Sequence, residues 1–464
     1  MNSISFIPGM RQEDLASIIR HFNIVDIYEL KKLAREKKIR KLKGFNSKTE
    51  MALLRGIKLL ESKPGSMPIG IAFDFAAILI NQLKAWPQIC QVLLVGELRR
   101  GVEEVRSIEL LVDANIEETI EVINQISLVF IDSIEDAKIK LGTPLGIPLL
   151  LHFSSTKSWG NNSILTTGSS KHLQALSSIN EGLPVFPEEN EVYKYLGLPW
   201  IPPEIRETGF EIQIAQENLL PKLIDLKDIK GDLHLHSKWS DGSNTIEEII
   251  NKGIKLGYDY ITITDHSQSL EIAGGLKSQD LLQQIVEINN LQLRFPQIQI
   301  LKGAEVDILP DGSLDFTDDI LKKLDIVIAS VHSHFHMKEI EMTRRITTAL
   351  KHPLVKILAH PTGRVLGKRP GYNVDIKEII KTAASNNKIL EVNASPDRLD
   401  LRDEHLQYAK TQSVKIAINT DAHHIDRMHD MYFGVQTAKR GWQTNEDIVN
   451  SWCYEKLKQY LLNI

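Results

Sequence analysis

Seven times between residues 229 and 421 a short apolar run is followed by a segment of helical period. The runs cover 229–236, 260–266, 298–307, 325–332, 355–360, 388–393 and 414–421. Strands alternating with helices predict a parallel sheet joined by crossover helices. The chain ahead of residue 229 is less regular. Its first sixty residues read as short helices. Two segments there, Ile7-Pro8-Gly9-Met10 and Leu42-Lys43-Gly44-Phe45, each place a glycine turn before an amphipathic stretch. Residues 71–160 mix a helical run at 72–83 with β-like runs at 92–95 and 108–112. Residues 160–180 are rich in Ser, Thr, Asn and Gly, which predicts a loop. Residues 185–230 are proline-rich near 199–203 but keep aromatic and apolar side chains, so they read as a connector packed on its neighbours.

Polar chemistry gathers where the seven runs end. Twelve of the fifteen histidines follow residue 231, and six of the seven runs carry His, Asp or Glu at or near their C-terminal end. In closed α/β barrels the loops at that end converge and carry function. The candidates are His234, His236, Asp241, His266, Glu305, His332, His360, Asp421 and His423. Residues i and i+2 of a strand share a face, so His234 with His236, and Asp421 with His423, can each grip one ion from one side. Imidazole with carboxylate suits Zn²⁺, Mn²⁺ or Fe²⁺ better than Mg²⁺ or Ca²⁺ alone. Nine ligands exceed the needs of one ion, which implies two or three, with Glu305 as the natural bridge. A lone histidine at a strand end is more often a hydrogen-bonded surface or core residue. His334, His336, His352, His405, His424 and His429 are read that way. Independent structural histidines would not collect at the same end of six strands.

Composition narrows the setting. The two cysteines, Cys90 and Cys453, are far apart and form no CxxC pair, which argues against a disulfide framework or a cysteine zinc site. The first ten residues lack a signal-peptide pattern, and the longest apolar stretch, 69–80, contains Asp74 and is too short to span a bilayer. A cytoplasmic, nucleoid-associated protein is the expectation. The net charge is −5, yet residues 1–60 hold thirteen Lys/Arg against six Asp/Glu, a local +7. Such a concentration suits phosphate-backbone contact or a solvated helical surface, and charge alone does not separate them.

The strand-end residues also carry a resemblance. Gly231-Asp232-Leu233-His234-Leu235-His236-Ser237 with Ser240-Asp241-Gly242, then Thr264-Asp265-His266, Gly303-Ala304-Glu305-Val306-Asp307, Ser330-Val331-His332-Ser333, Ala359-His360-Pro361-Thr362-Gly363-Arg364 and Asn419-Thr420-Asp421-Ala422-His423 resemble the PHP (polymerase and histidinol phosphatase) domain. More narrowly, they resemble the PHP domain attached to bacterial family X DNA polymerases. The likeness runs from 231 to about 445. It implies a distorted (β/α)7 barrel with a trinuclear site, one ion on His234, His236, Glu305 and Asp421, a second on Glu305, His332 and His360, and a third on Asp241, His266 and His423. It implies Glu305, Asp421, His360 and Arg364 as the catalytic centre. Mn²⁺ or Zn²⁺ would lower the pKa of a bridging water and neutralise the phosphoryl oxygens. Arg364 and Arg369, in the loop after the fifth run, are candidate phosphate contacts.

The resemblance extends more weakly toward the N-terminus. Gly96-Glu97-Leu98-Arg99-Arg100-Gly101 and Ser107-Ile108-Glu109-Leu110-Leu111-Val112 are similar to the family X palm segment, and Glu191 to Glu204 is similar to the end of its thumb. The two glycine turns look like helix-hairpin-helix elements, which implies DNA contacts at Gly9, Arg11, Lys43, Gly44 and Lys48. Both depart from that pattern at the second glycine, where Arg11 and Asn46 stand, and the chain starts without the family's first N-terminal subdomain. Nucleotidyl transfer by two metals needs clustered carboxylates. The three expected positions here are Ser107, Glu109 and Leu150. Residues 1–62 are thus expected to be a helix-hairpin-helix-like DNA-binding region, 63–184 a degenerate small α+β palm-like domain, 185–230 a thumb-like connector and 231–464 the PHP domain. The expected activity is a Mn²⁺- or Zn²⁺-dependent 3′–5′ exonuclease or 3′-end-processing phosphoesterase on gapped or single-stranded DNA in repair, with polymerase activity lost. A small-molecule phosphomonoesterase and a non-catalytic DNA-binding scaffold are the alternatives.

Overall fold

A computed structural model describes residue 4 and residues 6–62, 65–179 and 182–462. The chain divides into two compact units, Met1–Leu220 and Pro221–Ile464. The stretch read as one connector, 185–230, is divided between them.

The first unit begins with helices Gln12–Phe22, Ile27–Arg35 and Ser47–Ser62, which bury Leu15, Ile18, Leu30, Leu53 and Ile57 in a core of their own. Asp26 caps the second helix by accepting the Glu29 N–H at 2.8 Å. Both glycine segments are turns. The Met10 N–H donates to the Ile7 carbonyl and the Phe45 N–H to the Leu42 carbonyl, each at 3.1 Å, with Gly9 at φ 77° and Gly44 at φ 91°. The next position of each turn needs no glycine. Arg11 is an extended N-cap at φ −68°, and the Asn46 side chain accepts the Thr49 N–H at 3.0 Å. A helix, Ile69–Lys84, then leads into strands β1 (Met67–Pro68, just ahead of it), β2 (Gln91–Val95), β3 (Glu104–Val105), β4 (Ile108–Asp113), β5 (Phe130–Glu135), β6 (Lys138–Gly142) and β7 (Leu149–Phe153). β1 pairs with β3, and the other five form a sheet in the order β2-β4-β7-β6-β5. Only β4 and β7 run parallel among these pairs, an α+β arrangement.

The loop expected at 160–180 is instead two helices, Trp159–Thr167 and Ser170–Ser177. Ser, Thr and Asn are weak helix formers, but burial overrides the local preference. Ser163, Ile164, Thr167, His172 and Leu176 are buried, and Ser169 caps the second helix through the His172 N–H at 3.2 Å. Gly160 lies so close to the Glu188 backbone that a Cβ there would sit 2.3 Å from its carbonyl carbon. Packing, not composition, decides this segment.

In the second unit every predicted run contains a strand. These are β8 (Gly231–Leu235), β9 (Tyr260–Ile263), β10 (Gln299–Asp307), β11 (Ile326–Ser330), β12 (Val355–Leu358), β13 (Ile389–Asn393) and β14 (Ile416–Asn419). They lie in sequence order, all neighbours parallel. The His236 N–H donates to the Ala422 carbonyl at 3.1 Å and Leu235 bridges Ala422, which brings the two edges together into a nearly closed barrel. Helices follow each strand on the outside, so the strands are buried on both faces and read as continuous apolar runs. Several predicted runs overshoot their ladders because their last residues turn into the loops that carry His236, His266, His332, His360 and Asp421. Among the described residues no helix is long and apolar enough to cross a membrane.

Candidate metal centre

The nine strand-end residues come together at one mouth of the barrel, around Glu305 at the C-terminal half of β10. Its carboxylate is buried, and its two oxygens face different partners. Oε1 lies 2.8 Å from His360 Nε2 and 3.3 Å from His332 Nε2. Oε2 lies 2.9 Å from His266 Nδ1, 3.3 Å from His234 Nε2 and 3.5 Å from His236 Nε2. A carboxylate split in this way is placed to bridge. Asp421 Oδ1 is 3.0 Å from His236 Nε2 and 3.7 Å from His234 Nε2. At the rim, Asp241 Oδ1 is 3.1 Å from His423 Nε2 and 3.6 Å from His266 Nε2.

Three overlapping groups have ligand atoms within 4.8 Å of one another: His234, His236, Glu305 and Asp421; His236, Asp241, His266 and His423; and His266, Glu305 and His332. The first matches the set implied by the resemblance. The other two share His236 and His266 between neighbours, and His360 approaches the cluster through Glu305. The lone pairs fit cations. His234 Nε2, both nitrogens of His236, His266 Nδ1, Glu305 Oε2 and Asp421 Oδ1 are buried without a well-formed hydrogen bond, despite these short separations. Buried polar atoms are normally satisfied, so such a concentration turned toward shared points suits divalent ions.

Local backbone geometry aims two of these side chains. His360 sits at φ 29° and Asp421 at φ 53°, a region that costs a non-glycine residue of order 1–3 kcal/mol. The His360 N–H donates to Glu391 Oε2 at 2.8 Å, and Asn393 Nδ2 donates to Asp421 Oδ2 at 3.0 Å. These contacts hold the two residues in place.

Electrostatics follow from burial and pairing. Desolvation raises Glu305, but His332, His266 and His234 outweigh it and hold the carboxyl well below its usual range. Burial lowers His332, yet Glu305 and Asp307 push it up to about 10. His236 is held down to about 4 by burial and by His423 and His266 beside it, its ring stacked 4.2 Å from that of His423.

Sequence reasoning passed over the second layer. β13 was the run without an assigned chemical residue, and it supplies Glu391 and Asn393. Glu391 Oε1 pairs with His234 Nδ1 at 2.8 Å and accepts from Asn419 Nδ2 at 2.9 Å. Asp307 Oδ1 lies 2.8 Å from His332 Nδ1, and Asp265 accepts from Gln284 Nε2 at 2.6 Å and the Ser237 N–H at 2.9 Å. Carboxylates behind metal-binding imidazoles fix ring orientation and raise basicity. The i, i+2 spacing of Glu305 with Asp307 and of Glu391 with Asn393 was the available signal.

The arginines separate by position. Arg364 donates to the Leu399 carbonyl and so braces the loop after β13. Arg369 donates to the Gly363 carbonyl at 2.8 Å and stands 4.2 Å over the Phe335 ring. Arg398, which the sequence did not single out, reaches to 3.7 Å from Asp421 Oδ2. Of the remaining histidines, His334 and His336 are exposed, His352 lies 3.2 Å from Asp318, and His429 lies 2.8 Å from Lys252 Nζ.

In the first unit, Leu150 on β7 stands directly opposite Glu109 on β4. Glu109 is held by Ser107 Oγ at 2.9 Å and His152 Nε2 at 2.9 Å. Burial raises this carboxyl, but the bonds to His152 and Ser107 outweigh it and keep it below its ordinary value. Asp113 is turned to Thr156 Oγ1 at 2.7 Å. Two catalytic Mg²⁺ ions do not fit this donor set. Among the helix-hairpin-helix-like candidates, Lys43 and Gly44 are exposed, Arg11 pairs with Asp14 at 2.8 Å, and the Lys48 side chain lies outside the described residues.

Residues 232–395 match the PHP domain family. Over 478 aligned positions the chain is 37% identical to the DNA polymerase/3′-5′ exonuclease PolX of Bacillus subtilis strain 168, covering 98% of this chain and 83% of that protein. A probable phosphatase of Thermoanaerobacter sp. strain X514 is 32% identical over 241 residues, covering 50% of this chain and 93% of its own length. A crystal structure of histidinol phosphate phosphatase from Lactococcus lactis, with zinc, L-histidinol and phosphate, is 22% identical with a TM-score of 0.36, covering 45% of this chain and 93% of that one.

Proposed function

The chain belongs to the bacterial family X DNA polymerases that carry a C-terminal PHP domain, and from that premise we propose a division of labour between its two units. The barrel is a metal-dependent phosphoesterase acting on DNA, as a 3′–5′ exonuclease or 3′-end processor in repair, and the polymerase activity of the first unit is lost. One observation carries the hydrolytic reading: the buried Glu305 carboxylate, its two oxygens divided among five imidazoles, with Glu305 Oε2 and the facing nitrogens of His234, His236 and His266 lacking a well-formed hydrogen bond. The B. subtilis relative, a DNA polymerase/3′-5′ exonuclease, supplies the substrate class.

The residues then take roles. His234, His236, Glu305 and Asp421 hold one ion, Glu305, His332 and His360 a second, and Asp241, His266 and His423 a third near the rim, with His236 and His266 placed to be shared. The donor set favours Mn²⁺ or Zn²⁺. Ions held there would supply positive charge against the phosphoryl oxygens and would lower the pKa of water. Arg398 and Arg369 receive the non-bridging phosphate oxygens, and Arg364 keeps Arg398 in place through Leu399. The Gly9 and Gly44 turns, with Lys43 and Lys48, track the DNA backbone, which suits a cytoplasmic protein acting at the nucleoid.

Loss of polymerase chemistry rests on Ser107 and Leu150 standing where carboxylates are required. The test is a 5′-labelled primer–template incubated with Mn²⁺, Zn²⁺ or Mg²⁺, alongside dNTP incorporation. Shortening of the primer that is lost in His360→Ala, with no incorporation, is expected. An intact primer, or equal shortening by the variant, overturns the nuclease reading. The probable-phosphatase relatives, which cover half of this chain, favour a small phosphomonoester as the rival substrate. Turnover of such an ester by the full chain, with DNA untouched, selects that reading.

A further inference from the structure

The parallel ladder between β10 and β11 ends where Asp307 pairs with Ser330. His332 and Ser333 lie beyond it, and among the described residues no hydrogen bond between main-chain groups holds either of them. The β10 side is better anchored: the Ile308 N–H donates to the Ser330 carbonyl at 2.8 Å, and Ile308 bridges Leu314. Arg345 joins the two sides. It stands on the helix Glu339–Leu350, is 1% exposed, and divides its fork between the loops. Nε and Nη2 both donate to the Ile308 carbonyl, Nε at 2.9 Å. Nη1 donates to the Ser333 carbonyl at 2.8 Å and Nη2 to Ser333 Oγ at 3.2 Å. Among the described residues Arg345 pairs with no carboxylate, and Asp307 and Asp311 act on it only at longer range.

A buried cation without an ion pair is costly, and packing the barrel alone would be served better by an apolar side chain. What the guanidinium adds is reach: its planar fork grips two loops at once. Both loops lead to the metal centre. Ile308 follows Asp307, whose Oδ1 lies 2.8 Å from His332 Nδ1, and Ser333 follows His332, whose Nε2 lies 3.3 Å from Glu305 Oε1. We propose that Arg345 is a positioning residue of the metal centre: by tying Ser333 to Ile308 it aims His332 at Glu305 and sets the affinity for the ion assigned to Glu305, His332 and His360. The inference rests on the metal-dependent reading of the barrel, but not on DNA as its substrate.

The experiment is titration of the metal-stripped full chain with Mn²⁺, and separately with Zn²⁺, against a chelating dye, with thermal unfolding of each variant in EDTA. Arg345→Met keeps much of the side-chain volume and removes every donor. One ion should then be held about 10–100-fold more weakly, and the others as before. Arg345→Lys keeps the charge but meets one carbonyl at a time, so it should give a smaller loss at the same ion. Double variants separate aiming from mere packing. In a His332→Ala background, with no ring left to aim, Arg345→Met should weaken binding no further, whereas in a His423→Ala background it should act as before. Binding as tight as the parent's, a fall shared equally by all the ions, or an equal fall in the His332→Ala background overturns the proposal. Should Arg345→Met not fold, Arg345→Lys carries the same comparisons. An unmodified chain that takes up neither metal would end the metal reading and this inference with it. Failure of the nuclease reading alone would leave the results unchanged, because no substrate is present.

Discussion

The two units treat buried acids in opposite ways. In the first, three largely buried acids each have a base: Glu109 has His152, Glu211 has His172 at 2.8 Å, and Glu189 lies between Arg99 at 2.7 Å and Arg206 at 2.9 Å. In the second, Glu305 and Asp421 each keep one oxygen without a well-formed hydrogen bond, and so do nitrogens of His234, His236 and His266 around them. Both arrangements are rich in His and carboxylate, so composition does not distinguish them. What differs is whether donor meets acceptor or lone pairs meet at a common point. The first pattern is a structural ion pair, and the second is a demand for cations.

The contrast can be broken most forcefully at its centre. Glu305→Ala should reduce metal-dependent hydrolysis by about 10³-fold or more, since several kcal/mol of transition-state charge stabilisation are at stake. The melting temperature in EDTA should be untouched, and a parallel loss there would mean that the fold, not the metal, was affected. Acid should act next, and on the other unit. Burial raises Glu189, but Arg206 and Arg99 outweigh it and hold the carboxyl at about 2, against a usual 4.5. Its contribution, about 3 kcal/mol from that difference, is therefore complete above pH 4.5 and disappears as pH falls toward 2. Glu189→Gln should melt lower at pH 7 by that amount and lose this part of the acid dependence, as followed by thermal unfolding across pH. A variant as acid-sensitive as the parent would show that the pair is not the cause.

Smaller effects sharpen the distinction. Glu391→Gln removes the carboxylate charge behind His234 and leaves one acceptor oxygen where His234 and the His360 N–H now use two, and should weaken metal affinity about 10–100-fold in a chelator competition. The measured metal content should decline before the fold does. The smallest effect is expected at the helical turns. Lys43→Glu should weaken DNA binding uniformly across sequences and reduce the magnitude of the salt slope by about one, with primer shortening per bound complex preserved. A sequence-selective loss would mean that the turn reads bases, not phosphates.

Much of this was legible because it is local. A parallel strand buried on both faces reads as an apolar run, and its C-terminal end is where a polar side chain first reaches the barrel mouth, so His234, His236, Glu305 and Asp421 could be picked out along the chain. The helix Ile69–Lys84 was visible as a run at 72–83 for the same reason. The Gly9 and Gly44 turns announced themselves because only glycine takes a positive φ at no steric cost.

Tertiary structure decided what depends on non-local neighbours. Glu391 became a support for His234 and His360 only because β13 lies beside β12 in the barrel, 157 residues from the first of these partners. Arg398, not Arg364, faces Asp421 because Arg364 is committed to the Leu399 carbonyl. Residues 159–177 are helical because buried contacts outweigh a composition that favours loops. His152 meets Glu109 across 43 residues of sequence because β4 and β7 pair in parallel. Periodicity and residue type determined which groups would gather at a strand end. Which atom each one faces is a matter of strand order, register and backbone angle, and these exist only once the chain has closed on itself.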